Sequence, residues 1–432
     1  MALVRQGFPR SKMSPSIDQV EITAMTFGPY GLGHSDGRAV MVANSAPGDV
    51  VEVEVIAARR DYTLGKAVRL VREGAARRDP PCRFLPRCGG CDWQQIEYAK
   101  QVELKGELIA AEFRRALNFE LDPRGLVDSA PAEFGYRSRI RLKTGPGGSL
   151  GFFELGSNSL VAIDSCMVAA PALRLPTELA RALGRHCTEM EVVEGDAGNV
   201  VVAWFPKPPT APVIAKVTQS VESHAWLSGL VLRGGDKRYV IGDARIEMEV
   251  EPGCVIHGDA DLFSQVNRSQ NLKLVAAVVE AAAITPGMRV LDLFCGAGNF
   301  SLPAARRGAA AMGVDADALA IAAARDNAAR MGLGDVQFVA LRATDIANFL
   351  ARARYRPEVV ILDPPRTGAA ELIDPIARLR PGRIIYVSCD PSTLVRDLRS
   401  CGGRGYKIER VRAFDFFPNT HHVEVMASVL LT

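Results

Sequence analysis

The 432 residues hold 52 Lys and Arg against 49 Asp and Glu, a net charge of +3, and are 48% hydrophobic and 23% charged. That length predicts two or three domains rather than one core, the composition is that of an ordinary globular protein, and so small a net charge does not by itself imply a nucleic-acid partner. No apolar run reaches a membrane span and the start (Met1-Ala-Leu-Val-Arg-Gln-Gly7) lacks the apolar centre of a signal peptide, so a cytoplasmic protein without membrane association is expected, its nine cysteines reduced and free for metal or catalysis.

From Ile17 to about Glu73 short alternating strands are broken by turns at Gly28–Gly33, Ser35–Gly37 and Ala46–Gly48, and Val50-Val-Glu-Val-Glu-Val-Ile56 alternates with period two. This spacing predicts a small five-stranded OB-type barrel, either a binder of oligonucleotides or a purely structural β-module. Nine basic residues between Arg59 and Arg87 face only Asp61, Glu73 and Asp79. Such a run is a solvated face or a patch for a phosphate backbone. Cys82, Cys88 and Cys91 follow as C-x5-C-x2-C, with Gly89 and Gly90 letting the backbone curl around a centre. Three thiols so close predict three ligands of a metal site, with Cys166 available as a fourth. Zinc and an iron–sulfur cluster both accept that set, and spacing does not choose between them.

Residues 93–118 read as a long amphipathic helix. In Tyr136-Arg-Ser-Arg-Ile-Arg-Leu-Lys143 a period of two puts Arg137, Arg139, Arg141 and Lys143 on one strand face, suited to a phosphate backbone or to solvent. Pro171 to about Glu251 alternates helices and strands without a chemical motif. From Thr285 a regular β/α alternation begins. Val290-Leu-Asp-Leu-Phe-Cys-Gly-Ala-Gly-Asn-Phe-Ser301 is an apolar strand entering a Gly-rich turn and a helix, and the second strand ends at Asp315, in position for ribose hydroxyls. The glycines lack the spacing of a pyrophosphate cradle, which favours a nucleoside ligand such as S-adenosylmethionine. A fourth strand ends in Asp363-Pro-Pro-Arg366. A fifth leads to Cys389 at the start of a helix capped by a Ser/Asp/Pro/Ser/Thr cluster, and a last hairpin returns Phe417-Pro-Asn-Thr-His-His-Val-Glu424 towards the strand ends. The helix dipole lowers the Cys389 pKa and Asp390 raises it, so its net pKa is not readable from sequence.

Together LDLFCGAGNFS (Leu291–Ser301), DPPR (Asp363–Arg366), YVSCDPSTLVRDL (Tyr386–Leu398), FPNTHHVE (Phe417–Glu424) and FSQVN (Phe263–Asn267) resemble the RNA uracil-C5 methyltransferase family. The N-terminal module resembles the TRAM domain, and the four cysteines are similar to those of the 23S ribosomal RNA branch. The resemblance implies an α/β fold: a Rossmann-like class I methyltransferase at residues 263–432, a TRAM barrel at 14–75, and a central α+β domain at 76–262 whose helix (93–125) packs on the catalytic domain. It implies S-adenosylmethionine contacts at Gln265, Phe294, Asn299, Asp315 and Asp363, Cys389 as nucleophile and Glu424 as base. It also implies Cys82, Cys88, Cys91 and Cys166 as ligands of a 4Fe-4S cluster, in a monomer acting on 23S ribosomal RNA. Asp315 stands where the family often has Glu, and Asp390 where it often has Asn. Three competing readings are a transfer-RNA T-loop uridine as substrate, an exocyclic-amine methyltransferase using Asp363-Pro-Pro, and a non-catalytic redox-sensing RNA-binding protein.

Overall fold

The computed structural model describes residues 16–352 and 355–432; residues 14 and 15 of the expected barrel lie outside them. Strands β1 (Ser16–Met25), β2 (Tyr30–Ser35), β3 (Arg38–Ala43), β4 (Val50–Ala58) and β5 (Tyr62–Arg72) close into a barrel in the order β1-β2-β3-β5-β4. The period-two pattern decides what fills it: Val20, Ile22, Val40, Val42, Val51 and Val53 point inward. The basic run is largely spoken for. Arg69, Arg72, Arg77, Arg78, Arg83 and Arg87 each pair with a carboxylate, and the Arg77–Asp49 pair is buried.

Helix α1 (Tyr98–Leu117) ends at Asn118 in the left-handed conformation, and β6 (Val127–Asp128) follows. Seven strands then form one sheet: β7 (Arg139–Thr144), β8 (Leu150–Phe153), β9 (Leu160–Ala162), β10 (Glu189–Glu194), β11 (Asn199–Phe205), β12 (Leu227–Gly234) and β13 (Lys237–Gly242). Their order is β13-β12-β11-β10-β7-β8-β9. Helices α2 (Thr177–Leu183) and α3 (Ala211–Ser223) cover it through Leu179, Leu183 and Val217. The basic row of β7 is not an open face. β7 lies inside the sheet beside β10, where Glu189 faces Lys143 and Glu191 faces Arg141 in register. Arg139 is buried and donates to Glu191 (2.9 Å) and to the carbonyl of Leu262 (2.8 Å); Arg141 and Lys143 both bind Glu189.

A separate hairpin, β14 (Arg245–Glu251) and β15 (Cys254–Asp259), leads to α4 (Arg268–Ala282), whose N-terminus is capped by the Asn267 side chain. The C-terminal part alternates β16 (Arg289–Leu293), α5 (Ser301–Arg306), β17 (Ala310–Asp315), α6 (Ala318–Arg330), β18 (Gln337–Ala340), α7 (Ala343–Arg352) and β19 (Val359–Leu362). It continues with α8 (Ala370–Leu379), β20 (Arg383–Ser388), α9 (Pro391–Gly402), β21 (Tyr406–Phe414) and β22 (Glu424–Leu431). The sheet order is β18-β17-β16-β19-β20-β22-β21-β6, parallel from β18 to β20 and antiparallel where β22 enters. Both faces are buried, as a parallel sheet requires. Leu291, Leu293, Val360, Leu362 and Ile384 face one core, and Val290, Val359, Ile361, Ile385 and Val387 the other. Ile109 and Phe113 of α1 join the first core, so this helix packs on the C-terminal sheet. The order reverses between β16 and β19, which opens a crevice at their carboxyl ends.

Candidate active site and four-cysteine cage

A cleft of about 590 Å³ lies at that reversal. Gln265, Phe294, Asn299 and Asp363 line it with Phe263, Cys295, Gly296 and Phe300. Its turn is built for close approach. Gly298 has φ 103°, a conformation closed to other residues, and Phe294 is held at φ 66°, a strained state of the kind found at ligand sites. Asn299 exchanges two hydrogen bonds with Asn271 of α4, at 2.9 and 3.2 Å, which fixes its amide. Asp315 is not a lining residue; its two oxygens accept the N–H groups of Gly296 and Asp317, each at 2.9 Å, so it shapes the turn. Beneath the turn the buried Asp292 accepts the Ser301 hydroxyl at 2.5 Å. Burial, with Asp363 and Asp315 nearby, pushes it up to about 7.

Cys389 follows the last residue of β20, and Asp390 caps α9 by accepting from Ser392 N–H (2.9 Å) and Thr393 N–H (3.1 Å), with Pro391 in the first turn. Antiparallel pairing sets Val425 opposite Ser388, which brings Glu424 to the same strand end. The thiol is half-buried and its pKa is pushed up to about 11, first by burial, then by Glu424. Asp363 raises it further, while the Arg366 guanidinium lowers it. Glu424 is buried and stands well above the carboxylate range because of burial and Asp363, with Arg366 opposing. Asp363, itself raised to about 7 by burial, belongs to both the cleft and this pair. His422 is held down to about 3, by burial and then by His421 and Arg366, so its neutral Nε2 accepts from Arg366 at 3.3 Å.

Cys82, Cys88, Cys91 and Cys166 come together around one cavity of about 660 Å³, and none is in a disulfide. A side chain at Gly89 would meet the Phe153 carbonyl oxygen at 2.5 Å, so glycine is what lets this loop lie on β8. Burial raises Cys88 to about 11 and Cys91 to about 12, and each feels Cys166. Ionising all four in this setting calls for a cationic centre. Arg137 and Arg141 are the cations at this wall; the Arg137 Nε finds no hydrogen-bond partner among the described residues.

Two contributions to the cleft were not legible from sequence. Ile246, Met248, Ile256 and His257 come from the β14–β15 hairpin, whose strict alternation announces a hairpin but not what it covers. Arg366 carried a motif but no role until the structure set it between Cys389 and His422.

Comparison with known proteins accords with this geometry. A family model described as tRNA (Uracil-5-)-methyltransferase matches residues 253–432. A protein of Thermotoga maritima described as an uncharacterized RNA methyltransferase is 32% identical, over 96% of this chain and 99% of its own. The 23S rRNA (uracil(1939)-C(5))-methyltransferase of Pseudomonas aeruginosa is also 32% identical, over 92% of this chain and 90% of its own. The crystal structure of the Pyrococcus abyssi tRNA (uracil-54, C5)-methyltransferase in complex with S-adenosyl-L-homocysteine superposes with a TM-score of 0.73 at 25% identity, covering 95% of this chain and all of that one. The chain belongs to the RNA uracil-C5 methyltransferase family.

Proposed function

We propose that the protein methylates carbon 5 of a specific uridine in 23S ribosomal RNA through a transient bond between Cys389 and carbon 6 of the base. The observation that carries this reading is the convergence of Cys389, Glu424 and Arg366 on Asp363, a wall residue of the nucleoside-sized cleft. S-adenosylmethionine, when bound, supplies the methyl group. Gln265, Phe294, Asn299, Asp315 and Asp363 would hold it, Asp315 also keeping the Gly-rich turn in shape.

Carbon 5 of uracil is a weak nucleophile. The Cys389 thiolate adds to carbon 6, and the electron pair displaced onto the carbonyl makes carbon 5 reactive enough to take the methyl group. Glu424 then removes the carbon-5 proton, the double bond re-forms, and Cys389 leaves as thiolate. Register with β20 brings Glu424 to the strand end that bears Cys389, which suits its carboxylate to this step. The target base must leave its stack to enter. Phe263, 77% exposed at the cleft, and Phe417 are the aromatic surfaces offered to it. Cys389→Ala abolishes both 5-methyluridine formation and any covalent adduct with 5-fluorouridine RNA; activity surviving the substitution would favour an exocyclic-amine reaction, which needs no thiol.

The cysteine cage supports a 4Fe-4S cluster. Four free thiols around one cavity are a donor set that such a cluster accepts. Broad visible absorbance in anaerobically purified protein is expected, and a colourless zinc form would refute the cluster. On this reading the barrel (14–75) and the cluster-bearing domain (76–262) present RNA to the catalytic domain (263–432).

The relatives at 32% identity support 23S ribosomal RNA as substrate. The transfer-RNA reading keeps two observations in its favour, the fold shared with the Pyrococcus abyssi enzyme over nearly the whole chain and the description of the family model. Nucleoside mass spectrometry of ribosomal and transfer RNA from a deletion strain decides between them: loss of one 5-methyluridine from 23S RNA is expected, and loss from transfer RNA would overturn the choice.

A further inference from the structure

The cage loop does not stop at its last cysteine. The residue after Cys91, Asp92, is the first of a series of contacts that leads to Arg366, the cation nearest in effect to the reactive thiol. The Asp92 backbone N–H donates to the Asn419 carbonyl at 3.1 Å. Its carboxylate accepts the His421 N–H at 3.0 Å and lies 2.5 Å from His421 Nδ1. The His421 ring lies 4.0 Å from that of His422, which accepts from Arg366 at 3.3 Å, and the Arg366 guanidinium is the cation that acts on the Cys389 thiol. Glu424 follows two residues after His422, where β22 begins. A second contact crosses the same wall: Arg137, which lines the cage, has its guanidinium 5.4 Å from the centre of the Phe417 ring.

The segment between β21 and β22 has no regular structure, so its side chains are placed by what ties it down. Other ties come from α1 and its flanks: Gln101 accepts from the Asn419 N–H at 2.8 Å, and Lys105 donates to the Phe417 carbonyl at 3.2 Å. These hold the front of the segment. Asp92 alone, among the described residues, hydrogen-bonds His421.

We propose that Asp92 is a positioning residue for the reaction: it holds the His421–Glu424 stretch in register with the cysteine loop, so that filling of the cage sets how Arg366 and Glu424 meet Cys389. The proposal rests on the reading of the cage and of Cys389 given above. Such a tie explains why a group with no step in the methyl transfer sits within one residue of the segment that bears the base. A displacement of about 1 Å at reacting groups is enough to cost roughly 100-fold in rate.

The test uses full-length protein with its cage loaded anaerobically, in Asp92→Ala, Asp92→Asn and His421→Phe forms. In Asp92→Ala and His421→Phe the visible absorbance of the cage and the affinity for S-adenosylmethionine should stay within about twofold of the parent, while trapping of 5-fluorouridine RNA slows about 10- to 100-fold. Asp92→Asn should recover most of the rate, because its amide oxygen still accepts the His421 N–H. Amide hydrogen exchange across 418–424 should quicken in Asp92→Ala and also in Cys91→Ser, which opens the cage, with no further gain when the two are combined. Parent-like trapping in either Asp92→Ala or His421→Phe would overturn the proposal. So would an Asn variant as slow as the Ala variant, loss of the visible absorbance in Asp92→Ala, or unchanged exchange at 418–424 in Cys91→Ser. A parent protein that forms no adduct at Cys389 fails differently: it rejects the reading of the crevice, and the positioning role falls with it.

Discussion

Cys389 is a thiol that the resting protein keeps protonated. Its pKa of about 11 lies above the ordinary value near 8.5, because burial and the carboxylates at 424 and 363 outweigh the Arg366 guanidinium. The sign follows directly. Below the raised pKa the thiolate fraction climbs about tenfold per pH unit, so alkylation of Cys389 in RNA-free protein should accelerate about 100-fold between pH 7 and 9. Arg366→Ala removes the one group that lowers the pKa and should slow alkylation at every pH in that range. A rate flat across pH 7–9 would mean that the thiol is already ionised. Glu424 has a different signature. It is assigned a step after methyl transfer, so Glu424→Gln should form the adduct with natural substrate but release it poorly, lowering kcat about 10²- to 10⁴-fold. Gel-shifted, methylated protein–RNA conjugate is the readout, and a Gln variant that turns over normally would remove Glu424 from the role.

At the scale of elements, what fixes these groups is the way each strand ends. The Asp390 cap holds the first turn of α9 immediately after Cys389, and Asp390→Ala should cost about 1 kcal/mol of stability in chemical denaturation. Lys105 of α1 and Asp415, both fully buried, form a 2.6 Å ion pair at the start of the 415–424 segment. Lys105→Met leaves that carboxylate buried and unpaired and should cost about 3–5 kcal/mol. These elements also show what could be read in advance. The Gly-rich turn, the Asp363 strand end and the capped Cys389 were legible because strand, turn and helix lie within a dozen residues of one another. The basic strand at 137–143 was not, because Glu189 and Glu191, which neutralise it, lie some fifty residues further on and meet it only through sheet register. The same holds for the β14–β15 hairpin over the cleft, whose position depends on α4 and the Gly-rich turn rather than on its own residues.

Over the whole molecule, the barrel, the cysteine cage and the crevice are successive along the chain and joined by the wall of residues 78–137. Arg78 donates to both Glu133 and Asn419, and Tyr136 donates to the Pro418 carbonyl at 3.1 Å, so the cysteine-bearing segment and the 415–424 segment are one packed unit. Cys166→Ser should therefore lower more than visible absorbance: melting of the central domain should shift down, and RNA trapping should weaken with it. The claim on which the rest depends is a covalent bond to one cysteine. The measurement that tests it most directly is peptide mass spectrometry of protein trapped with 5-fluorouridine RNA. Covalent catalysis in this crevice predicts a single modified peptide, carrying Cys389, absent from Cys389→Ala. A conjugate on any other cysteine, or 5-methyluridine made by Cys389→Ala, would contradict it.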